Sequence, residues 1–334
     1  MKKNKSHINY FNDNNSFEND KSRDLPSVSY INNEDIVIYE RIKEFRNHYL
    51  TFEFLEDGIF RFWKSSSSGR SIPLEYSLNN GNWVSFTSQY SNYNILSCKA
   101  GDIIRLRGNN SSFNIYNSYY SSFIATAKAI IYGNIMSLVD KDNFAEMTAI
   151  PEGLSFYRLF ATGYYTSYID IDKYKPLVLP CTELTDYCYS NLFASSAYLT
   201  RMPELPAKVL TEGCYRNMFQ YCSRLVEISE LPALELANNC YAYMFQYCTN
   251  LTEAPELPAL SLKDNCYNYM FMNCVNLKMV KAAFIDFNNA TNPISNWLNT
   301  VSNSGVFYKN NLATWTNTGV SGVPTNWTIK RYIV

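Results

Sequence analysis

Four times in the C-terminal half the chain reads Leu-Pro-x-x-x-Leu, starting at Leu179, Leu205, Leu231 and Leu257, each start 26 residues after the last. Nine residues into each unit comes Cys-Tyr, at Cys188, Cys214, Cys240 and Cys266. Leu192-Phe193, Met218-Phe219, Met244-Phe245 and Met270-Phe271 follow. A second small position is then held by Ser196, Cys222, Cys248 and Cys274, and a leucine comes last, at Leu199, Leu225, Leu251 and Leu277. A weaker unit carrying Phe156 and Phe160 precedes the four. Self-similarity at a period of this length means that no unit buries its apolar face alone, so neighbours stack to share a core.

Within one unit Cys240, Met244 and Cys248 stand four apart with Tyr241 and Phe245 beside them, a stripe that predicts an amphipathic helix. Asp186, Asn238 and Asp264 precede three of these segments at the N-cap position. The stretch from Leu251 to Leu257 is expected to be extended, because Pro255 cannot continue a helix. The expectation is an α/β leucine-rich-repeat solenoid over 154–283. A C-terminal cap at 284–334, rich in Trp297, Trp315 and Trp327, would cover the core that the last repeat leaves open.

Residues 46–134 alternate instead. Leu50, Phe52 and Phe54 interleave with Thr51, Glu53 and Leu55, and Asp57-Gly58 marks a hairpin before Ile59, Phe60 and Phe62. Leu74 to Leu78 turns at Asn79-Asn80-Gly81 into Trp83 to Phe86, and Ile95 to Cys98 passes Ala100-Gly101-Asp102 into Ile103 to Leu106. With Phe113 to Tyr116 and Phe123 to Tyr132 these runs predict an antiparallel β-sandwich, followed by a connector over 135–153. Residues 1–45 are polar and without period. They read as an N-terminal arm that docks on a partner.

The nine cysteines are an odd number clustered in one half, which speaks against a disulfide scaffold. On a helix Cys240 and Cys248 would lie about 12 Å apart, too far for a bond or a shared metal. There is no CxxC, and the histidines are His7 and His48, outside the repeats. Cys188, Cys214, Cys222, Cys240, Cys248, Cys266 and Cys274 therefore read as small buried hydrophobes, and no metal or cofactor is expected. No histidine stands near a patterned Ser or Cys, and no phosphate-binding glycine loop occurs. A glycosidase would need paired carboxylates in a cleft, and none can be nominated. A protein without enzymatic activity is the expectation.

Repeats of the form CYxxMFxxCxxLxxxPELPAxxL resemble the BspA-like leucine-rich repeats of Bacteroidetes and of their crAss-like phages. The tail is similar to the closing segment of those proteins, in Gly305-Val306-Phe307-Tyr308-Lys309-Asn310 and Gly322-Val323-Pro324-Thr325-Asn326-Trp327-Thr328. PLEYSLNNGNW, KAGDIIRLRGNNSSF and GNIMSL resemble the module that often precedes the repeats. The likeness covers residues 46–334 and departs at Ser196, where a cysteine is expected. It implies surface recognition and adhesion, and it carries no catalytic residues to transfer.

Two sets of residues are candidates for contact. Tyr243 and Tyr269 occupy a position that is Asn191 and Asn217 in earlier units, so it is free to vary and expected to face outward, where a tyrosine suits sugars or protein. Glu204, Glu230 and Glu256 share one register and Glu227 and Glu253 another, either as a solvated face or as an acidic ladder for a cation or basic partner. Asp170 and Asp172 form a weak DxD signal.

Charged residues are only 18%, the deficit being filled by Asn, Ser and Tyr, and the net charge is −1. No field draws in nucleic acid, and no run approaches the roughly 18 apolar residues that span a bilayer. Lys2, Lys3 and Lys5 imitate the start of a secretory signal, but no apolar run follows them. The reading that unites these features is a phage virion protein, a tail or head fibre. It would bind a host surface glycan or protein, and its N-terminal arm would hold other virion proteins. A bacterial cell-surface adhesin is the alternative, and a homo-oligomer is among the assemblies either reading allows.

Overall fold

A computed structural model describes residues 33–90, 95–116, 119–163 and 166–333. Of residues 1–37 only the start of helix α1 (Asn33–Phe45) is described, so most of the expected polar arm lies outside the described residues. The helix itself departs from the expectation of an aperiodic arm through residue 45. Its second half buries Ile42 and Phe45 with Val178, with Tyr132 packed alongside.

The described residues are mostly β. Nine strands come first: β1 (Leu50–Phe54), β2 (Gly58–Lys64), β3 (Pro73–Leu78), β4 (Val84–Thr87), β5 (Ile95–Cys98), β6 (Ile103–Arg107), β7 (Asn114–Tyr116), β8 (Tyr119–Ala125) and β9 (Ala129–Asn134). They form two antiparallel sheets, ordered β9-β1-β6-β3-β4 and β5-β2-β8-β7. Phe52 of the first sheet meets Phe60 and Phe123 of the second at 5.0 and 5.6 Å between ring centroids.

Two of the expected hairpins are corners instead. Both edges of β1 are taken, by β6 and β9, so β2 cannot pair with it and joins the other sheet. Gly58 is required at that corner, since a Cβ there would sit 2.5 Å from Cβ of Ala127. The Asp57 carboxylate clasps the second corner through Lys99 Nζ and the Ala100 amide, at 2.7 and 3.0 Å. That corner likewise carries β5 and β6 into different sheets. The β3–β4 pair is a true hairpin: Asn79 and Asn80 have φ of 50° and 61°, the double left-handed turn that matches strand twist.

The expected helices of the repeats do not form. Each segment is a ribbon of four-residue turns in which every fourth residue is left-handed, with φ of 57°, 60° and 63° at Asn239, Tyr243 and Tyr247. Half of the amides close turns, as in Ala242 N–H to Asn239 O and Met244 N–H to Tyr241 O, both 3.1 Å. The alternate amides leave the unit: Tyr241, Tyr243, Phe245 and Tyr247 donate to Cys266, Asn268, Met270 and Met272 at 2.9–3.0 Å. The physical reason lies in the period. Apolar pairs spaced four apart drift around a helix of 3.6 residues per turn, but stay in line on a ribbon that repeats every four. Asn, which tolerates the left-handed region well, stands at Asn191, Asn217, Asn239, Asn265, Asn273, Asn292 and Asn296.

Asp186 and Asp264, expected as N-caps, accept instead from the amides of Glu212 and Thr291 in the next unit, at 3.1 and 2.7 Å. The side chain of Asn238 makes no such bond among the described residues. Its carbonyl accepts from Gly213 at 3.0 Å.

Stacking lines up the buried rings. One column runs Phe156, Tyr189, Tyr215, Tyr241, Tyr267, Trp297 with neighbours 5.5–6.4 Å apart. A second runs Phe160, Phe193, Phe219, Phe245, Phe271 at 5.2–5.7 Å. Pairs of this kind add about 0.5–1.5 kcal/mol each beyond their area. Residues 292–300, which the sequence places in the cap, continue the ribbon with left-handed Asn292, Asn296 and Thr300.

On the opposite side of each unit isolated parallel bridges join extended residues, such as Arg201 to Glu227 and Glu253 to Met279. At the first repeat, β10 (Ile169–Asp170) and β11 (Leu177–Val178) run parallel to β9. Together with Phe156 against Phe113 and Phe160 against Phe123, they join the stack to the antiparallel sheets. At the far end the bridges widen into the parallel sheet β12 (Met279–Ala282), β13 (Val306–Asn310), β14 (Thr328–Tyr332). There Trp297, Trp315 and Trp327 are buried and donate to the carbonyls of Gly322, Phe284 and Ser302.

A left-handed position separates the ribbon from a helix. Asn239→Gly is expected to leave the denaturation midpoint close to wild type, whereas Asn239→Val lowers stability by roughly 1–2 kcal/mol, the left-handed penalty of a residue with a crowded Cβ. In a helix the ranking would reverse, because glycine is the poorer helix former.

Candidate functional site

The ribbon sorts its side chains by position. In the third full unit Cys240, Tyr241, Met244, Phe245 and Cys248 are buried, while left-handed Asn239, Tyr243 and Tyr247 keep part of their surface in solvent. Tyr243 stacks on Tyr269 of the next unit, centroids 4.9 Å apart and planes 2° from parallel. One turn further along the ribbon, Tyr221 stacks on Tyr247 at 4.5 Å and 16°, and Tyr221 is 45% exposed. These four rings form two short columns on the outer face. Gln220 lies beside them, donating to Gln246, which in turn donates to Met272 Sδ at 3.3 Å.

The stacking decides what the columns can do. Each stacked pair takes one π face of each ring, and Arg216 from the preceding unit covers Tyr243 at 5.7 Å. Contact is left to the ring edges, which carry positive partial charge, to the hydroxyls and to the second ring faces of Tyr221, Tyr247 and Tyr269. Among the described residues none of the four hydroxyls has a hydrogen bond within the chain. Tyr221 and Tyr247 were not singled out from sequence. Their signal was present, since they share a left-handed column with Ser195 and Asn273 just as Tyr243 and Tyr269 share one with Asn191 and Asn217.

The glutamates are all exposed. Glu227 pairs with Arg201 of the previous unit, and Glu256 with Lys281 of the next at 2.9 Å. Such exposed pairs are worth about 0–1 kcal/mol. Among the described residues no group of three or more His, Cys, Asp or Glu side chains is placed to hold a metal ion. Asp170 accepts from the Thr200 amide and hydroxyl, and Asp172 closes a turn over the amides of Tyr174 and Lys175, so each has a local structural task.

The cysteines lie inside. All nine are buried and free. Cys222, Cys248 and Cys274 donate to the carbonyls of Phe193, Phe219 and Phe245 in the preceding unit, at 3.0–3.2 Å. Ser196, the one departure from cysteine, does the same to Phe160 O at 2.9 Å. Burial pushes the thiols of Cys181, Cys188 and Cys266 up to about 12, and raises Cys214, Cys240 and Cys248 well above the ordinary range. A thiol so held is protonated at neutral pH and is no nucleophile.

Two hollows lie in the antiparallel sheets. One of about 180 Å³ surrounds Lys64, whose amine is occupied by Gly69 O at 2.7 Å and Ser71 Oγ at 3.2 Å. The other, open and about 560 Å³, borders Glu75 and Lys141. Burial opposes ionisation of Glu75, yet Arg107 at 2.6 Å and Lys141 at 3.6 Å hold its carboxyl below the usual range. Lys64 is thus held by neutral acceptors, and Glu75 is ion-paired within the chain.

No protein family, no curated protein and no solved structure matches this chain. Among the described residues no helix is long and apolar enough to cross a membrane.

The buried acids give a pH dependence with a definite sign. Thiols such as Cys188 keep their proton to about 12 when folded but lose it near about 8.5 when unfolded. The folded chain therefore binds more protons between these values, and stability falls as pH rises through that window. Melting temperature is expected to be level up to about pH 8 and to drop steadily above it. A thiol reagent at pH 8 should label almost none of the cysteines until the chain is denatured, and then all nine. Rapid labelling of the native protein would contradict the buried columns.

Proposed function

We propose that this chain is a non-enzymatic recognition protein, a β-sandwich carrying a leucine-rich-repeat solenoid in which a ribbon of left-handed turns stands where α/β repeats have a helix. Its working face is the outer side of that ribbon, and its setting is a phage particle, as a tail or head fibre that binds the host cell surface. The residues before α1 would hold other particle proteins.

One observation carries the reading. The four outward tyrosines occupy positions that Asn or Ser fills in neighbouring units, and Asn tolerates that backbone better. The fold does not need tyrosine there, yet tyrosine is present in two adjoining columns and ends in unpaired hydroxyls. A side chain present against local preference at an exposed or half-exposed position points to contact. The protonated cysteines, and the Lys64 and Glu75 side chains taken up by hydrogen bonds and ion pairs within the chain, support a role without catalysis. The resemblance to BspA-like repeats, and a composition rich in uncharged hydrogen-bonding residues, support a surface as the target.

Replacing Tyr243 and Tyr247 together by Asn tests this. The chain already uses Asn at the equivalent Asn217 and Asn273, so the variant should melt within a few degrees of wild type. Its binding to host cells should fall at least about tenfold, the loss of about 1.4 kcal/mol or more. Unchanged binding would remove the face from the account. Detection of the protein in purified particles by mass spectrometry supports the virion setting. Detection only on the bacterial envelope would favour a cell-surface adhesin.

A further inference from the structure

We propose that the hollow around Lys64 binds a small organic carboxylate of the kind carried by a single acidic sugar, with the carboxylate set between Lys64 and Arg70. It is a second contact point, in the antiparallel sheets and separate from the tyrosine columns of the repeats.

Lys64 is a buried cation without a counter-charge. It ends β2, and its ammonium donates to Gly69 O at 2.7 Å, Ser71 Oγ at 3.2 Å and Ser67 O at 3.4 Å, all neutral acceptors. Arg70 stands exposed at the rim of the same hollow, with no hydrogen bond or ion pair to any described residue. Serines, aromatic rings and an isoleucine make up the rest of the lining, and no Asp or Glu borders it. Taking an ammonium out of water without an opposite charge is unfavourable, and an entering anion supplies that charge. The contact to Ser67 O is the longest of the three and the most readily exchanged for a ligand oxygen.

The walls select the class of anion. Phosphate sites are commonly nests of backbone amides, but this loop uses its amides within the chain. Gly69 N–H donates to Ser66 O and Ser68 N–H to Ser66 Oγ, both at 3.2 Å, and Ser65 N–H to Tyr120 O at 2.8 Å. The donors left to a ligand are side chains: the Lys64 ammonium, the Ser68 and Ser121 hydroxyls, and the Arg70 fork, whose geometry matches a carboxylate. Ile72 and Phe113, both buried, add apolar wall beside these donors, and the exposed Tyr119 ring stands at the rim. Such walls ask for a carbon body on the anion, with an apolar face for a ring to cover. The hollow, at about 180 Å³, is smaller than the ~300–1,000 Å³ of sites that enclose drug-sized molecules. One ring bearing a carboxylate meets these limits, as in a uronic acid.

The test titrates the full chain by calorimetry with glucuronate, galacturonate and N-acetylneuraminate, in a buffer free of carboxylate and phosphate. Glucose, acetate and inorganic phosphate are the controls. At least one acidic sugar is expected to bind at least about tenfold more tightly than every control. Arg70→Gln, at a side chain that makes no bond within the chain, should weaken that binding at least about threefold with the melting temperature kept. Lys64→Gln should abolish it. Because Lys64 also holds the 65–71 loop through Gly69 O, its melting curve is recorded alongside, and Arg70→Gln decides if that variant unfolds. The Tyr243→Asn/Tyr247→Asn variant should bind the acidic sugar as wild type does. Absence of binding by all three acidic sugars would overturn the proposal, as would acetate or phosphate binding equally well, or full affinity in Arg70→Gln. Loss of sugar binding in the tyrosine variant would place the site on the repeats and overturn it too. Failure here leaves the recognition reading intact, since host-cell binding through the tyrosines is measured separately.

Discussion

The repeat half depends on one interaction: every second amide of the ribbon donates to a carbonyl of the next unit, as Tyr241 does to Cys266 and Phe245 to Met270. A helix satisfies its amides internally and leaves stacking to side chains. This ribbon cannot, so each unit requires its neighbour twice, for its polar backbone and for its apolar face. Both ends must then be closed. Phe113 and Phe123 of the antiparallel sheets close one, and the three tryptophans with β12–β14 close the other.

That requirement accounts for the cysteines. With half the amides directed across units, carbonyls such as Phe219 O are turned towards the small position of the following unit. A side chain there must be small, largely apolar and able to donate weakly. Cysteine meets all three needs, and serine at Ser196 meets the hydrogen-bonding one. The residues that look most like chemistry in the sequence are thus packing elements with a donor. The residues left over for contact are those the backbone pushes outward.

Much of this was legible in the residue order. The 26-residue period, the buried Cys-Tyr and Met-Phe pairs and the Asn79-Asn80 hairpin are local signals, and local signals survive without knowledge of the fold. The ribbon was hidden because a spacing of four lies close to the period of a helix. Asn, Gly or Tyr at most left-handed positions was the mark that separated them. The Asp57-Gly58 and Gly101 corners were misleading because a turn signal says that the chain bends, not which strand it bends towards. Partner choice was settled by the occupied edges of β1. For the contact face, Tyr243 and Tyr269 stood out as variable positions. Their stacking on each other, which takes one face of each ring, follows only from the folded geometry.

Far-UV circular dichroism of the purified chain tests the central claim most directly. If the repeats are ribbons of left-handed turns, helix α1 and short 3₁₀ turns are the helical parts described, and the spectrum is dominated by β and turn signals. A deep α-helical double minimum, as five or six stacked helices would give, would contradict the ribbon and with it the outward placement of the tyrosines.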